Sequence, residues 1–488
     1  MSEEKSYRDI FKATSLFGGV QVIVIIFSII RSKAIALWLG PDGIGVMGVF
    51  ISAITFVFSI CSFGIGSSSV RNISQEKANN NLNAIKGTIS VVRTLSFGSG
   101  ILGLLITVFF SGILSKVSFE SNYENYTIAF ALLSLSVFFM AWESGENAIL
   151  QGLRELKWLA KSSVISSFCG TVLVLPLYYF YGLKAIVPSL LITYLFSALI
   201  PFLYTNKIKL PTSNFLKERK VEVAVDILKF GLAMAMSSIM VYAVMFVIRV
   251  YISNKGSMAD VGYYQAAFAI LNGYVGLLFT AMSKDYYPRL CELNEDTNAA
   301  GKIANYQIEM GLLILGPIVA FLIIGAPIII RILYSNEFLS ITSIMYWSLI
   351  GIFFKVLSWS FSYVILSKGD KKYFVLYEVV GNLTILVTHI LGYEKWGLNG
   401  LGYAFLLSNI VYFIMVYVIV KRKYAIFLGK GALVTFIYTT AICLLLIFLV
   451  MQEINLIFPI GMSLFLLFLS LRKLDKKMKL GLLNFFKA

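Results

Sequence analysis

The chain is 488 residues long, 58% hydrophobic and only 14% charged, with a formal net charge of +16 and a mean hydropathy of +0.83. Soluble domains run nearer about 45–50% apolar and about 25% charged, which excludes an ordinary water-soluble globular protein. Four widely separated cysteines (Cys61, Cys169, Cys291 and Cys443) and one histidine, His389, argue against a disulfide framework, a histidine-built metal site and a Ser-His-Asp triad.

From the N-terminus, MSEEKSYRDIFKAT is polar and contains acids, unlike a cleavable signal peptide. Hydrophobic runs of twenty or more residues then recur along nearly the whole length, which predicts an all-α polytopic membrane protein. About fourteen transmembrane helices are expected: 14–39, 44–66, 86–112, 126–150, 161–181, 184–205, 227–251, 262–283, 306–330, 339–366, 373–391, 396–420, 428–450 and 454–471. An even count puts both ends on one side. Sorting Lys and Arg by alternate connections gives 31 on the side of the termini against 5 on the other, so both termini are expected to be cytoplasmic. The basic excess is therefore topogenic, attracted at most to anionic lipid headgroups, and no nucleic-acid partner is expected.

An internal repeat runs through the first twelve spans. Arg31 is followed by Gly45 and Phe50, and Arg249 by Gly262 and Phe268, at offsets of 217 to 218. Trp142 answers to Trp359, Ile149-Leu150 to Ile365-Leu366, and YGLKAI (181–186) to WGLNGL (396–401) at an offset of 215. Copies six spans apart share their orientation, giving two parallel-repeat six-helix lobes of a kind found in transporters that rock about a central site. The expected domains are an N-lobe (1–205, helices 1–6), a cytoplasmic inter-lobe linker (206–226, with Pro211), a C-lobe (227–423, helices 7–12), and two extra C-terminal helices with a basic cytoplasmic tail (424–488).

Five basic residues fall inside predicted spans: Arg31, Lys33, Arg93, Arg249 and Lys355. A charge at the bilayer centre costs about 2.5–3.5 kcal/mol on insertion scales, so each needs a reason. Helical spacing sets Thr14, Gln21, Ser28 and Arg31 on one face, as it does Ser238, Tyr242 and Arg249, and Ser348, Lys355 and Ser362 with Trp359 beside them. Ser90, Arg93, Phe97 and Gly100 form a fourth stripe. Polar stripes topped or centred by a cation fit a face turned to a hydrated cavity. The alternative is snorkelling, outward for Arg31, Lys33 and Arg249 and inward for Arg93. Lys33 points away from its stripe and is read as snorkelling, whereas Lys355 is deepest and is the strongest cavity candidate. Charge or coupling partners are available in Glu143 and Glu146, an i, i+3 pair on span four, and in Glu378 and His389, which share a face of span eleven with Asn382. Guanidinium and ammonium groups bind phosphate oxygens strongly where water is scarce, and Tyr, Trp, Ser and Asn suit carbohydrate, so the expected ligand is anionic and sugar-bearing.

FKATSLFGGVQVIVIIFSIIRSKAIALWLGPDGIGVMG (11–48) resembles the first two helices of Wzx-type O-antigen translocases, as do DVGYYQAAFAILNGYVGLLFTAMSKDYYPRL (260–290) and the segment 333–378 in their own regions. The resemblance extends over roughly residues 10 to 423. It implies a MATE-like architecture within the multidrug/oligosaccharidyl-lipid/polysaccharide exporter superfamily. It further implies a flippase of the bacterial inner membrane for undecaprenyl-pyrophosphate-linked oligosaccharide, such as an O-antigen repeat unit of lipopolysaccharide, with intramembrane cations holding the diphosphate. Arg31, Arg249, Lys355 and Arg93 are the candidates for that role. No cofactor is expected beyond a coupling ion, H+ or Na+, and the sequence has no Walker A motif. Expected partners are the lipid-linked oligosaccharide, membrane lipids, and a polysaccharide polymerase with its chain-length machinery. Three readings compete. A multidrug antiporter of the same superfamily would show an acid-dominated cavity. A membrane polymerase or glycosyltransferase would carry a larger outer loop than the one near 113–125. A structural scaffold would have no use for buried cations.

Overall fold

The computed structural model describes residues 3–78, 82–119, 126–208, 217–293 and 295–478, with the backbone alone for 3–19 and a few later positions. Thr14 and Gln21 of the first stripe, Pro211, the end of the outer loop at 120–125 and the tail from 479 lie outside the described side chains or residues. In chain order the helices are α1 (Glu3–Cys61), α2 (Ile65–Ala78), α3 (Leu82–Phe109), α4 (Ser111–Ser118), α5 (Thr127–Gly152), α6 (Leu156–Val172), α7 (Val174–Tyr181) and α8 (Ile186–Thr205). They continue as α9 (Lys217–Lys255), α10 (Met258–Ile270), α11 (Gly276–Glu292), α12 (Thr297–Leu333), α13 (Ile341–Ser367), α14 (Lys371–Tyr424), α15 (Lys430–Met451) and α16 (Ile457–Met478). A π-helical stretch, Leu271–Val275, joins α10 to α11.

Ten helical stretches among the described residues are long and apolar enough to cross a membrane, or eleven if the bent pair around 258–292 is one span. About twenty residues suffice for one crossing. Three of the ten stretches run 40, 50 and 54 residues, and each is broken where two predicted spans meet. The breaks are at Gly40 (φ 63°) in α1, Gly182 (φ 54°) after α7, and Gly397 (φ 56°) in α14. At the first, Pro41 follows the glycine, so the residue that needs positive φ is followed by one pre-set to restart a helix. Large apolar side chains face outward, Phe109 at 81% exposure and Phe180 at 74%, as a lipid-facing surface requires and a water-facing one does not.

The chain packs as two compact units, Met1–Gly262 and Tyr263–Ala488. In the first, α5 lies against α2, α3 and α8, and α1 against α6 and α9. Its interior holds Phe50 within 5.1–5.7 Å of the rings of Phe119, Tyr126 and Phe130, and an aliphatic cluster that joins Ile73 of α2, Val92 of α3, Ile149 of α5 and Ile227 of α9. Gly45 and Gly262, equivalent in the repeat, meet where α1 crosses α10. A Cβ on Gly45 would lie 1.9 Å from the Met258 carbonyl oxygen, and one on Gly262 2.0 Å from that of Pro41. Only residues without a Cβ permit so close a crossing.

In the second unit α13 packs along α14, and α12 is flanked by α13, α15 and α16. The two extra C-terminal helices are thus seated on α12.

Two segments differ from the sequence reading. The linker 206–226 becomes helical at Lys217, because KERKVEVAVDILKF has no Gly or Pro to stop a helix and continues into span seven without a breaker. The same helix, assigned by the repeat to the second lobe, packs on α1, α2 and α3 inside the first unit.

Candidate functional site

The first unit holds two charged groupings. In one, Arg93 of α3 meets the buried Glu146 of α5. Its Nε donates to Oε1 at 2.9 Å and its Nη2 to Oε2 at 3.2 Å. The same Nη2 also donates to Thr205 Oγ1 at 2.8 Å and to Asn206 Oδ1 at 2.9 Å. Thr205 donates in turn to Glu146 Oε2. The guanidinium lies 5.3 Å from the Phe202 ring centroid, and Trp142 packs between Phe97 and Phe202 next to it. Arg93 is therefore an ionic tie between α3, α5 and the end of α8, and Glu146 is its counter-ion.

The second grouping surrounds Arg31 of α1, half-buried. Tyr194 of α8 lies within electrostatic reach of both Arg31 and Glu143, and Tyr178 of α7 within reach of Arg31. Glu143 accepts only a long hydrogen bond, 3.4 Å, from Asn147 Nδ2. Arg31 and Glu143 thus approach a common tyrosine, and among the described residues neither shows the direct ion pairing seen at Arg93. Arg249 of α9, also half-buried, turns its Nη1 back to the Met245 carbonyl at 2.9 Å.

In the second unit, Lys355 of α13 is the central feature. Its Nζ stands 5.5 Å from the centroid of Phe279 of α11, and among the described residues no carboxylate lies within ion-pair distance. Phe279 packs edge-on against Trp359 at 5.4 Å. Trp359 also touches Tyr286 at 5.6 Å and Tyr363 at 5.0 Å. An ammonium beside a panel of aromatic faces offers charge and stacking surface together, which is the chemistry of an anionic, sugar-bearing ligand. Ser348 and Ser362, about two helical turns to either side, are both buried.

The two remaining acid-base candidates lie on α14. His389 is buried beside the packed rings of Tyr264 and Phe268, with Nδ1 2.8 Å from the Ile385 carbonyl. Glu378, one turn before Asn382, accepts the Asn382 side chain on its backbone carbonyl at 2.8 Å.

One ionic site escaped the sequence reading. Glu309 of α12, 3% exposed, is paired at 2.8 Å with Lys473 of α16, whose Nζ also donates to Thr435 Oγ1 of α15 at 2.6 Å. Lys473 lies two residues beyond the predicted span 454–471, in the basic tail expected from the sequence, but α16 runs on to Met478 and sets it against Glu309. The available signal was Glu309 itself, the one acid in the predicted span 306–330.

The chain superposes on an inward-facing multidrug resistance MATE transporter of the MOP superfamily with a TM-score of 0.70 and 15% identity, covering 84% of this chain and 98% of that one. It superposes equally, TM-score 0.70 at 16% identity, on the lipid II flippase MurJ in an inward closed conformation, covering 96% and 99%. The fold is that of a multi-pass membrane transporter.

The chain belongs to the polysaccharide biosynthesis protein family, whose model matches residues 34–343. Among curated relatives, the Lipid III flippase of Escherichia coli (strain K12) is 23% identical over 393 residues, 78% of this chain and 91% of the relative, and that of Shigella flexneri matches to the same extent. These relatives are flippases and transporters rather than catalytic enzymes.

Proposed function

We propose that the protein is a flippase for polyprenyl-diphosphate-linked oligosaccharide. It moves undecaprenyl-pyrophosphate-linked repeat units of an O-antigen or similar surface polysaccharide from the cytoplasmic to the outer leaflet of the inner membrane, by alternating access. The observation that carries this reading is Lys355, an intramembrane ammonium set against Phe279 and Trp359 without a carboxylate neighbour among the described residues. A cation in that setting is costly until an anion arrives, so binding energy is available for a diphosphate that has shed its water. Arg31 and Arg249, in the first unit, are further candidate cations for an anionic headgroup. Arg93, held by Glu146, keeps the first unit's helices in register instead of meeting substrate. The basic connections orient both termini to the cytoplasm.

Transport draws on a proton or sodium gradient or on the membrane potential, with Glu378, His389 and Glu143 as the groups able to carry a coupling ion. The curated relatives, both Lipid III flippases, favour this over drug efflux.

The test replaces Lys355 by Ala and by Arg in cells that make the polysaccharide, with protein levels monitored. The alanine variant loses surface polysaccharide and accumulates the lipid-linked intermediate, and the arginine variant keeps a substantial fraction of export. Normal polysaccharide from a normally abundant Lys355→Ala protein overturns the assignment. A drug-efflux assay on the same strains decides against the antiporter.

A further inference from the structure

The first unit has a second polar feature, a cleft of about 530 Å³ between α2, α3 and α9. It lies at the end where α2 stops and α9 starts, on the side that the basic connections mark as cytoplasmic. Its acids are Glu76, Glu222 and Asp226; its other hydrogen-bonding side chains include Asn72, Gln75 and Arg219. Thr88 of α3 completes the wall. That threonine is 0% exposed, and among the described residues its hydroxyl has no hydrogen-bond partner.

We propose that this cleft is a glycan subsite, binding sugar residues that carry no carboxylate. The inference rests on the flippase reading for where the glycan comes from. Among the described residues, three carboxylates facing one guanidinium make the wall net negative, which repels a diphosphate or a uronic acid and separates this site from the cations described above. A bare metal ion fits no better. The volume falls in the range of organic-ligand pockets, about 300–1,000 Å³, and Arg219, 3.4 Å from Glu76, puts a positive charge in the same wall. Amide, guanidinium, hydroxyl and carboxylate groups instead supply donors and acceptors side by side. Vicinal sugar hydroxyls, each both donor and acceptor, match such a mixture. The Thr88 hydroxyl is the outstanding capacity in the wall, and a ligand hydroxyl would meet it.

The experiment uses the full-length protein in lipid nanodiscs and saturation-transfer NMR with two probes, chitobiose and glucuronic acid. Chitobiose receives saturation from the wild type, and glucuronic acid receives none once Lys355→Ala has removed the cationic site. Glu222→Ala combined with Asp226→Ala, both exposed positions, weakens the chitobiose response at least tenfold, and Thr88→Val weakens it by removing a hydroxyl at constant volume. Lys355→Ala leaves it unchanged. No chitobiose response, an equal response to glucuronic acid in the Lys355→Ala protein, abolition by Mg²⁺ or Na⁺, or indifference to the three substitutions overturns the subsite. If the subsite stands while Lys355→Ala cells export normally, it is the diphosphate reading that fails.

Discussion

Gly182 and Gly397 stand 215 residues apart and adopt the same backbone conformation, φ 54°, ψ −132° and φ 56°, ψ −138°. Each turns the chain between two halves of a long helical stretch, inside the matching hexapeptides YGLKAI and WGLNGL. This is the first central position of a type II′ turn, a region nearly closed to residues with a Cβ. The repeat seen in the sequence is therefore a repeat of backbone geometry.

Alanine at either position has room, since no heavy atom lies within 4 Å of the added Cβ, but it cannot adopt the dihedrals without strain. Gly182→Ala and Gly397→Ala should each lower stability by about 1–3 kcal/mol. The two sites lie in different units, and the double variant should lose about the sum. Thermal unfolding in detergent measures this. An unshifted melting temperature in both single variants would remove the conformational explanation.

The sequence carried this part of the fold because Gly and Pro at 40–41, 182 and 397 punctuate runs of apolar residues, and punctuation is a local signal. The intramembrane cations were equally legible, for a charge stands out against an apolar run. Their partners were not. Nothing local distinguishes Arg93, tied to Glu146 from 53 residues away, from Lys355, which has no such tie among the described residues. The spacing that put both on polar stripes is the same, and only packing separates a structural ion pair from an available charge. Lys473 was misplaced for a related reason: two residues beyond an apolar window, a lysine looks like a tail, and the acid that draws it inward lies on another helix.

Arg93 and Glu146 should behave as one unit. Removing either leaves the other partly or wholly buried without its counter-charge, at a cost of about 3–5 kcal/mol, nearer the low end because Arg93 is 30% exposed. Arg93→Lys should fail to restore stability, because one ammonium cannot reach Glu146, Thr205 and Asn206 together. The Arg93→Met, Glu146→Leu double variant should recover much of the loss. A double-mutant cycle on unfolding midpoints reads the coupling, and additive losses would show that the pair is incidental.

Asp370, between α13 and α14, accepts from Lys423 Nζ at 2.6 Å and from the Tyr424 hydroxyl. These bonds, with the neighbouring lysine charges, hold its carboxyl below its ordinary value of 3.8. A depressed pKa in the folded state stabilises above the unfolded value and loses that contribution as pH falls through the folded one. The wild type should thus lose stability on acidification from about pH 4 downward, and Asp370→Asn should flatten that part of the profile while lowering stability at neutral pH. Parallel acid profiles for the two proteins would sink the prediction.

The last prediction concerns the two helices beyond the repeat. Glu309 is 4% exposed at its side chain, and Lys473 is its ion-pair partner from α16. Ending the chain before Ile457 takes away both that ammonium and the apolar face of α16, so the truncated protein should be poorly expressed or unstable. Two losses are then mixed, and they can be separated. Lys473→Met in the full chain removes only the charge, and should cost up to about 3–5 kcal/mol by taking the counter-ion from a buried carboxylate. Adding Glu309→Gln should return most of it, because a neutral amide can still hydrogen-bond to its surroundings without a counter-ion. If the pair serves only to seat α16, the doubly substituted protein should also restore surface polysaccharide. Recovered stability with export still absent would instead give Glu309 a part in transport, and stability unrecovered by Glu309→Gln would show that Lys473 acts through Thr435 rather than through the carboxylate.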